Sequence, residues 1–546
     1  MVEEETTEVL VVGAGPVGLT AALELRRRGV EVLLVDRLLE PLRYAKAVGI
    51  QPRTLEIWDA MGIVRPALDA CTRLRGQLLY KNGALVNRLD MSLPDEVPYR
   101  FVALPQYETE RILAAALAEH GAAVTRGLEF LSLEQDATSV RSTLRDGTGQ
   151  LRYVTSRYLI GCDGAHSAVR TGLGVDFTGD AFAEGFMLAD VEVDWDLPTG
   201  YAIRATHEQD GVVDDVLVCI PLPGHNRYRI SMFVAPELID PQSTAQRPAE
   251  HGLQGGRAPE LKHVQQVLDR LAPQPTTAST MRWSSLFRIS HRLADRYSVG
   301  RVFLAGDAAH IHPPTGAQGM NTGIQDAVNL AWKLALAVQG RAADGLLDSY
   351  HTERYPVGAE VVGRTVTHAR AGFGTDGGTL QDLMLREAQL LVGYPDSPVV
   401  GAQSADRLTG GPIPGQRAPD VTGLSQDTVS GPIRFAELLR HPGFTLAIWA
   451  GDSDAADKAR PCDLSDVPDL RCYVIVDSQV SMPDVSGTVF RDADGRFAAA
   501  YGTAGVGTAA YLVRPDGYIG FRTCDISAEA IRHAVLHVGI RRERNS

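Results

Sequence analysis

The segment at residues 300–333 constrains the fold of this chain more than any other part of the sequence. Residues 302–305 form a short apolar run that predicts a buried strand, and Gly306 and Asp307 follow it directly. Residues 313–323 then bring Gly, Pro and small side chains ahead of an apolar pattern that predicts a long helix. A strand, an acid at its carboxyl end and a Gly-rich turn into a helix N-terminus favour the binding of a polyhydroxylated, phosphate-bearing cofactor.

The N-terminal residues carry a second nucleotide signature. Gly13, Gly15 and Gly18 form a G-x-G-x-x-G motif between an apolar strand pattern at residues 8–12 and an amphipathic helix pattern. In this context the first glycine makes the tight turn, the second admits a pyrophosphate, and the third allows close packing of helix and strand. Asp36 ends the next strand pattern, where an acid bonds a ribose hydroxyl. The alternative is a tight strand–helix turn that holds no ligand.

A third apolar strand pattern, at residues 158–162, ends in Asp163 and Gly164. Ser167 and Arg170 follow at short offsets. Taken alone, this arrangement is explained equally well by a ligand-binding turn and by a plain turn before a capped helix.

The three motifs, in this order and at this spacing, resemble the FAD-dependent aromatic hydroxylases over about residues 8–395. The resemblance implies FAD as the cofactor, with Asp307 on the ribityl chain and residues 313–323 against the flavin ring. It also links the Asp163 turn to both FAD and NADPH pyrophosphate binding.

The resemblance then assigns the site residues. The expected cofactor-binding set is Gly13, Gly15, Pro16, Val17, Gly18, Asp36, Arg37, Lys46, Arg53, Gln106, Asp163, Gly306, Asp307, Pro314, Gly316, Gly319, Met320 and Asn321. The residues expected to support catalysis are Arg53, Pro313 and Gly316. No metal site is predicted, and the cofactor rather than a strong protein acid or nucleophile is the reagent.

The sequence allows more than one role for several polar residues, most of them basic. Arg53 is either a surface arginine at a helix start or a cation that faces the flavin and NADPH. Lys46 stands where many relatives carry Arg, so the charge is kept but the bidentate fork is lost. Arg204, Tyr228 and Arg229 either meet a phenolate or carboxylate or lie at the surface.

The predicted fold class is α/β plus β, with three domains. The expected segments are a Rossmann-like FAD domain at residues 1–180 and 291–395, an inserted substrate-binding sheet domain at 181–290 with a mobile loop at 239–258, a linker at 396–418, and a C-terminal thioredoxin-like domain at 419–546. No C-x-x-C is present, so the tail is expected to be structural or dimer-related. A chain that ends near Pro395 is expected still to bind FAD.

The composition and charge of the chain disfavour some classes of partner and location. The formal net charge is −14, which disfavours a nucleic-acid partner because no basic surplus neutralises phosphates. The sequence contains no apolar run of about twenty residues, so no membrane span is predicted. The acidic start of the chain is unlike a signal peptide and the six cysteines are scattered, so a cytoplasmic location is expected.

The resemblance implies a single-component monooxygenase. NADPH or NADH reduces FAD, O2 gives a flavin hydroperoxide at C4a, and one oxygen atom passes to an aromatic, phenolic or polyketide-type substrate. No second G-x-G-x-x-G lies between a strand and a helix, so no separate NAD(P)H domain is expected. The alternatives are a Baeyer–Villiger monooxygenase acting on a polycyclic ketone and a flavin-binding protein without turnover. A homodimer is the usual outcome in the family.

Overall fold

The computed structural model describes residues 4–238, 258–371, 378–401, 408–426, 429–459, 464, 467, 469–481 and 489–539. The predicted loop at 239–258 lies outside these ranges except for its last residue. The described helices are Pro16–Arg26, Pro52–Ala60, Val64–Ala70, Gln106–Glu119, Ala168–Gly172, Leu261–Leu271, Gly319–Val338, Ser349–Ala371, Leu380–Glu387, Phe435–Leu438, Ser453–Lys458, Arg496–Tyr501 and Ala528–His537. None of them is long and apolar enough to cross a membrane.

The first sheet is of the nucleotide-binding type that the N-terminal motif predicts. Its strands in spatial order are Ser298–Val299, Val302–Leu304, Leu151–Gly161, Glu4–Val12, Val32–Asp36 and Val124–Arg126, with Leu128–Gln135 and Val140–Asp146 alongside. The strands from Val302–Leu304 to Val124–Arg126 are parallel. Their carboxyl ends therefore meet at one edge, which gathers the Gly13 turn, Asp36, Asp163 and Asp307.

The second sheet runs antiparallel apart from one pair and stands beside that edge. Its strands in spatial order are His310–Ile311, Thr277–Ala294, Phe177–Asp194, Arg227–Phe233, Val212–Pro221, Tyr201–Gln209, Gly76–Lys81 and Ala84–Asp90. A small third sheet joins Gly49–Ile50, Val102–Ala103 and Thr72–Arg73.

The second sheet is larger than the predicted insertion at 181–290. The predicted boundaries cut through its two longest strands, Phe177–Asp194 and Thr277–Ala294. The hairpin Gly76–Lys81 and Ala84–Asp90 also joins it, through a parallel pairing with Tyr201–Gln209. This pairing connects segments that are far apart in the chain, so local sequence patterns carry no sign of it.

The C-terminal unit has its own sheet. Its strands in spatial order are Val429–Ile433, Leu424–Gln426, Val489–Asp492, Leu470–Asp477, Phe444–Ala450, Thr508–Val513 and Ile519–Thr523. One face of this sheet shares a hydrophobic core with Trp332 and Leu336 of the Gly319–Val338 helix and with Leu346, which lies in the turn before the Ser349–Ala371 helix. The predicted linker also packs, since Gly401, Gly415 and Ala418 donate backbone hydrogen bonds to residues 517–520.

A buried charge network joins the C-terminal unit to the long helix. Glu353 accepts hydrogen bonds from Arg514 Nη1 at 2.7 Å and from Lys333 Nζ at 2.8 Å, and all three side chains are fully enclosed. Arg514 also pairs with Asp516, which accepts a bond from Trp332 Nε1 at 3.2 Å. These contacts oppose the prediction that a chain ending near Pro395 binds FAD. Such a chain lacks Arg514 and Asp516, so Glu353 loses its arginine partner and Trp332 Nε1 loses its acceptor.

Candidate active site

The Gly-rich turn has the geometry that its three glycines predict. Gly13 has φ +97°, and a Cβ there would lie 2.4 Å from the Cys162 carbonyl oxygen. A Cβ on Gly18 would lie 1.9 Å from the Gly13 oxygen, so the helix crosses the strand at backbone contact. A Cβ on Gly15 would meet nothing within 4 Å. The open space beside Gly15, at the N-terminus of the Pro16–Arg26 helix, is where a pyrophosphate fits.

This contrast predicts different effects for two alanine substitutions. Gly15→Ala is expected to fold normally but to weaken FAD binding by about tenfold or more, because its methyl group fills the phosphate space. Gly18→Ala is expected to lower the free energy of unfolding by about 1–3 kcal/mol through overpacking. Flavin titration and denaturant unfolding separate the two effects. Equal flavin affinity in Gly15→Ala and the wild type would contradict the assignment.

Asp36 shapes the same turn. Its carboxylate accepts hydrogen bonds from the backbone N–H groups of Ala14 at 2.7 Å and Leu38 at 2.8 Å. The side chain is half-buried, and Arg37 beside it is exposed. Asp36 therefore holds the glycine turn in place.

Gln106 begins the Gln106–Glu119 helix and contacts the loop that carries Lys46. Its Oε1 accepts a bond from Ala47 N at 3.3 Å, and its Nε2 donates to Glu110 Oε1 at 2.9 Å. Burial raises the pKa of Glu110 to about 7, against a smaller opposing effect of the Gln106 bond. Glu110 interacts electrostatically with Asp36, so an acid that is about half protonated at neutral pH lies near Asp36.

The raised pKa of Glu110 makes stability fall with pH. Below pH 4.5 the group is protonated in both the folded and the unfolded chain, whereas between 4.5 and about 7 only the folded chain keeps the proton. Above about pH 7 the loss in the free energy of unfolding is complete and amounts to about 3 kcal/mol. Glu110→Gln is therefore expected to stabilise the protein at about pH 8 but not at about pH 4.5, as judged by denaturant unfolding. Glu119→Gln, an exposed change on the same helix, is the control; equal pH profiles for the two variants would contradict the account.

The Asp163–Gly164 turn also stands at this edge. Asp163 Oδ2 accepts bonds from the backbone N–H groups of Ala168 at 2.7 Å and Val169 at 3.2 Å, so it helps to cap the following helix. Arg170 donates to the Ala308 carbonyl at 2.9 Å, which ties this turn to the turn that carries Asp307. Burial raises the pKa of Asp163, and its Oδ1 is enclosed without a hydrogen-bond partner.

Asp307 lies in the short turn Gly306–Ala308, directly after the Val302–Leu304 strand. Its side chain is 44% exposed, and its nearest cation is Lys46 Nζ at 3.8 Å from Oδ2. Gly306 packs against Val17, because a Cβ on Gly306 would lie 2.8 Å from Val17 Cγ2. Asp307 and Lys46, which are distant in sequence, therefore face the same solvent-accessible space.

The loop that leads into the long helix is held by backbone contacts. Pro313 is buried and Pro314 exposed. Gly316 has φ +74°, and its carbonyl accepts a bond from Gln51 Nε2 at 2.7 Å. The Gly319–Val338 helix has no acid in its first turn, so its positive end is available to an anion, and Met320 is half-buried there.

The Asn321 side chain is fully occupied by the protein. Its Nδ2 donates to the carbonyls of Gly49 at 2.9 Å and Ala317 at 2.8 Å. Its Oδ1 accepts from Gln51 N at 2.9 Å and Thr54 Oγ1 at 2.7 Å. An amide has no further hydrogen-bonding capacity, so any contact of Asn321 with a cofactor is through its backbone.

Arg53 does not face the site. Its Nη2 donates to the Asp516 carbonyl at 2.8 Å, its Nη1 pairs with Glu56 at 3.0 Å, and its guanidinium lies 5.0 Å from the centre of the Tyr518 ring. The interpretation of Arg53 as a cation facing the flavin is therefore corrected. The side chain is 5% exposed and joins the first helices to the C-terminal unit.

Sequence reasoning missed a buried polar network under the Asp307 turn. Asp326 accepts bonds from Gly306 N at 3.1 Å, His310 Nε2 at 2.8 Å and Arg354 Nε at 2.7 Å. Arg354 continues to the Tyr394 hydroxyl at 2.8 Å. The available signal was a carboxylate in the middle of a largely apolar helix, which requires buried partners.

The residues at this edge fit FAD. Two helix N-termini without acidic residues in their first turns, at Pro16 and Gly319, provide places for a pyrophosphate and for negative charge on a flavin ring. Burial lowers the pKa of His312 to about 4, so its ring is neutral, and its Nε2 is enclosed without a partner beside Gly319. With Asp163 Oδ1, two buried polar atoms thus remain for a bound group to satisfy.

Comparison with known proteins agrees with this geometry. A family model described as an FAD binding domain matches residues 6–365, and a model described as the C-terminal region of aromatic-ring hydroxylases matches residues 411–538. The chain is 39% identical to a rifampicin monooxygenase of Streptomyces venezuelae over 66% of this chain and 70% of that protein. It is 32% identical to the 6-methylpretetramide 4-monooxygenase of Streptomyces rimosus over 95% of this chain and 91% of that protein.

A solved structure gives the same result for the fold. The flavin-dependent monooxygenase PieE, in complex with FAD and substrate, superposes with a TM-score of 0.79 at 25% identity, and 98% of each chain is covered. The FAD-binding family model, the monooxygenase relatives and this neighbouring structure together define a flavoprotein monooxygenase. The chain belongs to the family of FAD-dependent aromatic-ring hydroxylases, which confirms the resemblance drawn from its three motifs.

Proposed function

We propose that this protein uses NADPH or NADH and O2 to insert one oxygen atom into an aromatic substrate of phenolic or polyketide type. The observation that carries the proposal is the position of the Asp307 turn and the helix that begins at Gly319, since the strand His310–Ile311 between them joins the second sheet. A flavin ring held by this loop would lie against that sheet. Relatives named for rifampicin and for 6-methylpretetramide support the substrate class.

The residues of the chain would divide the work as follows. The turn at Gly15 and Asp36 would hold the pyrophosphate and ribose of FAD, and Asp307 would bond the ribityl chain. The backbone N–H groups at Gly319, Met320 and Asn321 would stabilise negative charge on the flavin ring. Bound FAD would supply the redox and oxygen-transfer chemistry, so the protein supplies orientation and exclusion of water.

Pro313 and Gly316 keep a supporting place in this proposal. Pro313 is buried, and its carbonyl lies 2.9 Å from His312 Nδ1. A Cβ on Gly316 would lie 2.4 Å from Glu387 Oε2, so the loop packs closely against the Glu387 side chain. Both residues would fix the loop against which the substrate ring is positioned.

The domain arrangement belongs to the same proposal. The second sheet would form the substrate domain inserted in the FAD domain. The C-terminal unit would be thioredoxin-like, since it has a parallel pair at Phe444–Ala450 and Leu470–Asp477, an antiparallel pair at Thr508–Val513 and Ile519–Thr523, and a final helix. Among the described residues its cysteines, Cys472 and Cys524, form no disulfide, in keeping with a structural role. A cytoplasmic homodimer stays a prediction.

The test is NADPH oxidation by the flavin-loaded protein in air, with O2 uptake recorded in parallel. A panel of phenols, naphthols and polycyclic quinones is compared with no substrate. We expect one class to stimulate both rates and to yield an oxygenated product. Bound FAD with no stimulation by any aromatic compound would contradict the proposal, and a ring-expanded lactone would show Baeyer–Villiger insertion in place of hydroxylation.

A further inference from the structure

The two faces of the second sheet differ in character. One face carries alternate apolar residues, among them Ile203, Cys219 and Ile230, which pack beneath the Leu261–Leu271 helix. Side chains alternate between the two faces along each strand, so the residues adjacent to these in sequence lie on the opposite face. Arg229 is paired with Asp190 and Ile220 in one cross-strand row, and Arg204 is paired with Val218 in the next.

The face with Arg229 is the one that meets the FAD domain. Tyr44 stacks on Trp283 at 5.0 Å between ring centres, and Trp283 is the register partner of Asp190. Arg227 Nη2 donates to the Tyr107 hydroxyl at 3.0 Å. Tyr44 and Tyr107 belong to the loop and the helix that carry Lys46 and Gln106, so this face of the sheet looks toward the cofactor site.

Arg229 is buried there without a counter-ion. Its side chain is 6% exposed, and its Nε is enclosed with no hydrogen-bond partner. Within the described part of the chain, no side chain or carbonyl accepts a bond from its guanidinium. The carboxylate in its own row, Asp190, is already held by Arg227, whose Nε lies 2.8 Å from Asp190 Oδ1. Burial lowers the pKa of Arg229 to about 10, which shows how poorly its charge is compensated.

Arg204, one cross-strand row away on the same face, also has no counter-ion among the described residues. It is half-buried, burial alone lowers its pKa, and no described residue pairs with it. The following row on this face is aromatic on the neighbouring part of the sheet, where Phe186 lies 5.1 Å from Phe233 and 5.4 Å from Phe287 between ring centres. The face therefore combines two uncompensated cations with an apolar aromatic patch.

We propose that Arg229, assisted by Arg204, binds an anionic oxygen group of the aromatic substrate, either a carboxylate or an ionised phenol. This inference rests on the proposed function. It narrows the substrate class to aromatic compounds that carry a carboxylate or an ionised phenol. A buried guanidinium without a partner is costly, and a substrate anion offsets that cost in the complex. Its planar donors also suit both oxygens of a carboxylate, which would fix the ring relative to the flavin.

The experiment uses the flavin-loaded protein and two pairs of probes. A hydroxynaphthoate is compared with its methyl ester, and a naphthol with its methyl ether, by titrating the absorbance change of the bound flavin. In the wild type we expect the anionic member of at least one pair to bind about tenfold more tightly. The pair that shows the preference tells a carboxylate from a phenolate. Absence of any preference in both pairs would overturn the proposal.

Variants test which residue is responsible. Arg229→Met is expected to remove the preference, Arg204→Met to reduce it, and Arg229→Lys to restore part of it. Arg282→Met is the control, because Arg282 lies on the same sheet in an exposed pair with Glu192. A preference that survives undiminished in Arg229→Met would overturn the assignment. Anion preference in a wild-type protein that oxidises no NADPH would support this site while contradicting the proposed function.

Discussion

Replacement of Arg514 by methionine is expected to lower the free energy of unfolding by about 3–5 kcal/mol, because it leaves buried carboxylates without their main cation. Arg514 holds Glu353 through two bonds, at 2.7 and 2.9 Å, and also pairs with Asp516. Among the described residues Lys333 would then be the one cation paired with Glu353, and burial already lowers the pKa of that lysine to about 8. We also expect weaker flavin retention, since the network packs against the long helix of the FAD domain.

The matched control for this prediction is Arg496→Met. Arg496 lies in the same C-terminal unit but is exposed, and its Nε is 3.6 Å from Asp494 Oδ2. An exposed pair of this kind contributes about 0–1 kcal/mol. Denaturant unfolding of the two variants, followed by fluorescence, gives the comparison. Equal stability of Arg514→Met and Arg496→Met would contradict the role given to the buried network.

The second large effect is expected at Asp307. Asp307→Ala should weaken FAD binding by about 10–150-fold, the equivalent of a charged hydrogen bond of about 1.5–3 kcal/mol, while the fold is retained. The fold should survive because the Asp307 side chain is 44% exposed and its one described ion pair spans 3.8 Å. Asp307→Asn should keep part of the affinity, since an amide still offers a hydrogen-bond acceptor.

Asp295→Ala is the control for Asp307. Asp295 is 48% exposed and lies 3.7 Å from Arg296, so its exposure and ion pairing are similar, and it is not among the residues expected to bind the cofactor. Flavin dissociation on dilution, followed by fluorescence, measures the effect. Full retention of yellow flavin by Asp307→Ala, or equal loss in Asp295→Ala, would contradict the assignment.

Local motifs made the cofactor edge predictable. The turn at Gly13 and Gly18 is set by backbone contacts within one strand–turn–helix unit, so its residue types show it directly. The position of Asp307 follows equally from a short apolar strand and the acid after it. In each case the relevant contacts lie within a short segment or at the shared edge of parallel strands.

Contacts between distant segments were not predictable in the same way. Arg53 faces Asp516 and Tyr518 of the C-terminal unit, and no pattern around residue 53 indicates where that unit packs. The register that places Arg229 opposite Asp190 likewise depends on strand pairing across the second sheet. A shift of one residue would turn every side chain to the other face, so the sequence left the role of Arg229 open.

The most direct test of the central claim is turnover with heavy-isotope O2. We incubate the flavin-loaded protein with NADPH and the aromatic compound that best stimulates NADPH oxidation, under labelled O2. The mass of the product is then measured by mass spectrometry. We expect one labelled oxygen atom in the product, and an aromatic ring that is preserved if the reaction is hydroxylation. Unlabelled product, or NADPH oxidation that yields only hydrogen peroxide, would contradict oxygen insertion by this protein.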